Sequence, residues 1–316
     1  MKNRNADGNV VRRKSKIWAI LLVVLAVIVL LACLAVFIFF MLKNSRNTNP
    51  SVRKIYSDWE HGEYQKVYDG SNTLLEKNQL NIPAIVLHGY SAFFIALSQT
   101  DITNTQSYID ECISSLRLAM YYADKSSLPQ INYMLGKAYF QKNSISSYYY
   151  YSDLVIKYLN LATEGGYDAP DIHECLGLCY ADLGKTMESV MEFTMALKQR
   201  KSDTLMYAIA VQYHKLEKND IAKPYLVEIL EQSEDDDIIL KSAILLADMN
   251  FAEGKYEEAR KGYEKILEKY PDCAEALYGM GNIYEKNGDI AKARSEWRKT
   301  LKVSVNHYGA IKKLGL

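Results

Sequence analysis

Residues 276–297 read ALYGMGNIYEKNGDIAKARSEW, and residues 242–263, thirty-four positions earlier, read SAILLADMNFAEGKYEEARKGY. Aligned, the two strings place Leu277 on Ala243, Gly281 on Ala247, Tyr284 on Asn250 and Gly288 on Gly254. They also place Ala293 on Ala259 and Trp297 on Tyr263, while Ile311, Leu314 and Gly315 begin a third copy. Small, large and turn residues recurring in register at that offset are not a chance feature of one segment. A period of this length marks a repeated supersecondary unit that buries its apolar face by stacking on its neighbours.

The pattern resembles the tetratricopeptide repeat (TPR), a helix–turn–helix unit of that period. The resemblance implies that Gly281, Ala247 and Gly177 let each first helix approach its own second helix. Tyr284 and Tyr180 then pack between helices, and Gly288, Gly254 and Gly184 supply turns that need positive φ. The expected fold is therefore all-α: a TPR-type α-solenoid of about seven units, the first ones degenerate, closed by a C-terminal capping helix.

Working outward, the string GEYQKV at 62–67 echoes GKYEEA at 254–259, so 52–77 reads as a degenerate first unit. Pro83 opens a helix containing Gly89, with a partner over about 105–123. A third unit starts near Pro129 with Leu135, Gly136 and Tyr139, and a fourth near Pro170 with Gly177, Tyr180, Gly184 and Phe193. A fifth, near Asp203, keeps Ala210, Tyr213, Ala222 and Leu226 but has lost the glycines. In that unit Asp220 is expected to cap the second helix, with Pro224 in its first turn. The interval from Pro129 to Pro170 is seven longer than the repeat, the excess falling at 144–152 around the run Tyr148 to Tyr151. That run either packs on a lengthened helix or forms a contact surface. The acidic run 231–237 adds about three more residues before the sixth unit.

The amino end is different in kind. Residues 1–16 are polar and basic, and 17–42 contain no charge, proline or glycine. As a helix those 26 residues reach roughly 39 Å, enough for a hydrocarbon core of about 30 Å. The reading is a basic cytoplasmic tail (1–16), a transmembrane helix (17–42), a linker (43–50) and the repeat superhelix (51–316). Leu30 to Cys33 resembles a lipoprotein cleavage box, but nine apolar residues follow it, and the apolar run exceeds a cleaved signal's core. Six Lys/Arg precede the span and four follow closely, which keeps the amino end cytoplasmic and sends the repeats across.

The formal charge of zero hides an asymmetry: residues 1–46 hold eight Lys/Arg and one Asp, leaving 30 basic against 37 acidic side chains elsewhere. An acidic body argues against nucleic acid. The five cysteines give no disulfide framework; Cys175 and Cys179, four apart on one helix, are read as small core residues. His173 has no second histidine at the zinc-motif spacing, so neither metal nor cofactor is expected. No phosphate loop or nucleophile motif is present, and the chain is read as a non-enzyme.

What the resemblance leaves is the concave groove lined by first helices, where the reaching side chains fall second, fifth, ninth and twelfth in each unit. Carried over, the groove comprises Tyr133, Lys137 and Phe140; Glu174 and Leu178; Tyr207, Val211 and His214; Ile244, Asp248 and Phe251; and Tyr278 and Asn282. Tyr90 and Phe93 take the same positions in the second unit. The apolar, aromatic centre and polar rim are those of a protein- or peptide-binding patch. Glu174 and Asp248 would repel a terminal carboxylate, so the clamp of chaperone-binding members is not expected. The function expected is a membrane-anchored scaffold in assembly of a cell-envelope complex, with pilus, secretion, flagellar and outer-membrane machines all open. A preprotein receptor on an organelle membrane is the alternative, and the oligomeric state is open.

Overall fold

A computed structural model describes residues 51–146 and 149–316, with Leu34 alone of the first fifty. The expected membrane span therefore lies outside the described residues except at Leu34. Among the described residues no helix is long and apolar enough to cross a membrane.

The described chain is helical throughout and has no strand. The described residues divide into two compact units, one ending at Ser91 and the other Ala92–Leu316. In the first, α1 (Val52–Glu60) and α2 (Tyr64–Lys77) bury Ile55 and Val67 against Leu87 of α3 (Ile82–Ser98), with Trp59 and Leu74 at the edge of that core. The α3 helix is apolar on every side, so Tyr90 and Phe93, expected in the groove, are each only 5% exposed. A helix without a polar face has no side to leave in solvent.

The second unit continues through α4 (Ile102–Ala119) and then in pairs. These are α5 (Leu128–Ile145) with α6 (Ser152–Glu164), α7 (Ile172–Asp182) with α8 (Thr186–Gln199), and α9 (Asp203–Lys215) with α10 (Asn219–Gln232). They continue as α11 (Asp236–Ala252) with α12 (Tyr256–Lys269), and α13 (Ala274–Lys286) with α14 (Ile290–Val303), before the short α15 (Tyr308–Leu314). Each helix packs on the next, and the first helices α9, α11 and α13 also touch in succession. From α9 to α14 the first helices therefore stand side by side, each backed by its own second helix.

The glycines act where expected. A Cβ on Gly281 would lie 2.4 Å from Nε1 of Trp297 on α14, and one on Gly177 would lie 2.5 Å from the Phe193 ring on α8. Intra-unit turns share one geometry. Gly184, Gly254 and Gly288 have φ of 69°, 78° and 81°, and the next residue's N–H donates to the carbonyl five back, as Lys185 does to Tyr180 at 2.9 Å. The fifth unit keeps this turn without glycine: Glu217 adopts φ 58°, and Lys218 N–H donates to the Tyr213 carbonyl at 2.9 Å.

That turn corrects one expectation. It starts α10 at Asn219, with Lys218 at the cap position and no side-chain cap, so Asp220 is already helical. Pro224 then falls inside the helix, in the second turn. It cannot donate to the Asp220 carbonyl four residues back, as an interior residue would.

The insertions lengthen first helices. With 18 residues α5 outruns the 11 of α7, and Asn143 near its end fastens the following loop. The Asn143 amide donates to Ser152 Oγ at 3.0 Å and its carbonyl accepts from Tyr151 N–H at 3.2 Å. Packing of the tyrosine run is shown for Tyr151. Tyr151 packs beside Tyr139 and under Lys142, whereas Tyr149 and Tyr150 are 62% and 70% exposed; Tyr148 lies outside the described residues. The acidic run opens α11, where the Asp235 carboxylate accepts from the N–H groups of Asp237 and Ile238.

Candidate protein-binding groove

On α5, Lys137 and Tyr133 stand one turn apart and meet one acceptor. Asp171, just before α7, accepts from the Tyr133 hydroxyl at 3.0 Å and from Lys137 Nζ at 2.6 Å. Lys137 Nζ also approaches Cys175 Sγ at 3.7 Å and lies 5.8 Å over the Phe140 ring. The half-buried lysine is thus neutralised within the chain. Burial pushes the Cys175 thiol up to about 11, with Lys137 opposing, and pushes Cys179 up to about 12. Both remain thiols, and among the described residues no three His, Cys, Asp or Glu converge on a metal position. On α7, Glu174 pairs with Arg200 at 3.1 Å, while Leu178 is 40% exposed.

The α9 and α11 residues form a second group. His214 Nδ1 lies 2.8 Å from Asn219 Oδ1, and Val211 sits half-buried one turn earlier. Asp248 accepts from the Tyr263 hydroxyl at 2.6 Å and feels the charges of His214 and Glu275. Its side chain is exposed, yet it stands among enough protein to lose hydration, and that desolvation raises its pKa above the ordinary carboxylate value. Asp248 thus combines solvent access with a crowded surround. Tyr207 is raised likewise, by burial first, with Lys241 opposing and Asp248 adding to it.

Other expected groove residues have a second duty. Tyr207 packs against the clusters containing Leu226 and Met206, and Ile244 and Phe251 against the one containing Ala259 and Tyr263. Phe251 also meets the Tyr256 ring at 5.4 Å. Tyr278 turns toward α15, its ring 4.7 Å from His307, in a gap left by Gly309. Truncating Tyr207 and Phe251 would therefore cost stability as well as any ligand contact. Asn282 is half-buried, its side-chain carbonyl out of water and without a partner. Asp171 and Tyr263 are not among the candidate residues given above, yet they are the partners that Tyr133, Lys137 and Asp248 meet. Tyr263 occupies the position of Trp297 in the next unit and reads from sequence as packing alone; nothing in the pattern reveals that its hydroxyl reaches Asp248.

Comparisons with known proteins agree with this architecture. Residues 172–311 match the family profile described as the Tetratricopeptide repeat protein 21 C-terminal ARM domain. The C-terminal part of a TPR repeat-containing protein from Cytophaga hutchinsonii is similar with a TM-score of 0.57 at 17% identity, covering 84% of this chain and 100% of that one. A tetratricopeptide repeat protein from Parabacteroides merdae gives a TM-score of 0.49 at 16% identity, covering 85% of this chain and 98% of its own. YrrB, described as a TPR protein with an unusual peptide-binding site, gives 0.47 at 20% identity, covering 65% of this chain and 100% of its own. No curated protein matches the sequence significantly. Fold and repeat pattern together define a helical-repeat protein of the TPR type.

Proposed function

We propose that this chain is a membrane-anchored scaffold whose first-helix groove holds a segment of a partner protein during assembly of a cell-envelope complex. Residues 17–42 are the anchor, and the repeats lie on the extracytoplasmic side. The observation that carries the binding role is Asp248: a carboxylate left open to solvent on a crowded wall, beside Tyr207 and His214. Glu275 on the next first helix adds a second negative charge nearby. An apolar segment bearing a lysine or arginine fits such a wall, and a terminal carboxylate does not.

The test places a photo-crosslinking residue at Leu178 in the full chain, in cells, and identifies what is captured. One protein should be captured reproducibly, its linked peptide carrying basic and apolar residues. Asp248→Lys should abolish that capture with helicity unchanged. Capture that ignores Asp248→Lys, or an acidic linked peptide, would sink the groove assignment.

A further inference from the structure

On α8 the buried residues Val190, Phe193 and Ala196 face the unit's interior. Directly opposite, Met187, Met191 and Met195 form a row at intervals of four, 46%, 62% and 45% exposed. At about 1.5 Å per residue the row is roughly 12 Å long, two turns of one helix face. On α12, by contrast, the outward side chains include Glu257, Glu258 and Lys261, all exposed. Three solvent-facing thioethers form a soft apolar strip of the kind used for contact.

Two charges flank it. Glu188 and Lys198 are both exposed and form no ion pair among the described residues; the Lys198 ammonium instead lies 4.0 Å from the Met195 sulfur. Consider a two-fold axis through Met191 with two α8 helices antiparallel. Met187 then faces the partner copy's Met195, and Met191 faces itself. Lys198 comes within about 6 Å, along the axis, of the partner copy's Glu188, a span its side chain covers. Apolar centre and charge pairs are then each satisfied twice, the self-complementarity of a closed dimer.

We infer that the outer face of α8 is a docking surface for a second copy of this chain, centred on Met191. The surface is separate from the first-helix groove and does not depend on the role proposed for it. Two copies joined there would present two grooves to an assembly.

The test uses the full chain in its native membrane, with Cys33 changed to Ser. The other four cysteines, Cys112, Cys175, Cys179 and Cys273, are buried. Mild oxidation of Met191→Cys should give a disulfide-linked dimer, whereas Tyr121→Cys, at a residue 82% exposed on the α4–α5 connection, should give little. Glu188→Lys should lower the dimer yield several-fold, and Glu188→Lys with Lys198→Glu should restore it, with circular dichroism unchanged throughout. Equal dimer from both thiols, or a charge swap that restores nothing, overturns the inference. A Met191→Cys thiol linked to a different protein also overturns it, and assigns the face to that protein.

Discussion

Glu217 holds the conformation that three glycines hold in the corresponding turns, at φ 58°. For an L-residue this region costs about 1–2 kcal/mol, and glycine returns about 0.4–1 kcal/mol of that by loosening the unfolded chain. Glu217→Gly should therefore stabilise the protein by about 0.5–1 kcal/mol, read as a raised denaturation midpoint with unchanged helicity. Asp248 makes a pH-dependent case. Its pKa is raised in the fold, so the fold prefers its neutral form; that preference contributes fully below the ordinary value of 3.8 and is lost as pH rises through the higher folded value. Asp248→Asn can keep the Tyr263 hydrogen bond without the charge. It should raise the melting temperature slightly at pH 7, and the advantage should vanish below about pH 4, where the native carboxyl is itself neutral. An equal shift at both pH values would contradict the desolvation account.

Among the elements, α10 carries the clearest internal conflict. Pro224 stands in its second turn, solvent-exposed, and leaves the Asp220 carbonyl without its helical donor. A proline in a helix interior costs about 3 kcal/mol relative to alanine, so Pro224→Ala should stabilise α10 by up to that amount. Amide exchange along Asn219–Gln232 would show it as slowed opening. The repeat register was legible because a close helix crossing admits only a hydrogen or a methyl: Gly281 under Trp297 and Gly177 under Phe193 report their own packing. The start of α10 was not legible, because the glycine that marks the turn elsewhere is Glu217 here. Of the candidate groove positions, Leu178 and Asp248 are exposed. Tyr207, Phe251 and Tyr278 also pack beside neighbours, and how far a large ring leans into the seam beside it depends on residues in other units, which periodicity does not encode.

For the molecule as a whole, the charge distribution and the apolar run at 17–42 make a topological prediction. With the repeats outside the cytoplasmic membrane, protease added to spheroplasts should digest residues 51–316 and leave a membrane-protected amino-terminal fragment. Digestion only after lysis would place the repeats on the cytoplasmic side. A reporter active only outside the cytoplasm, fused after Leu316, should agree with the protease result.

The socket of Gly281 and Trp297 has a consequence for the order of synthesis. In a linear array, stability is close to a sum of unit and neighbour contributions, and order spreads from whichever unit forms best. Here α13 and α14 obey the repeat rules most fully. They have a glycine at the crossing, a glycine in the turn, and an Asp289 side chain that accepts the Lys292 N–H at 3.0 Å. They leave the ribosome after the earlier, less regular helices. Those units, with Glu217 and Pro224 among them, are exposed before their best-formed neighbour exists, and the array closes from its carboxyl end backward. A released chain truncated before residue 274 should accordingly be protease-sensitive over α9–α12, and the full chain should not.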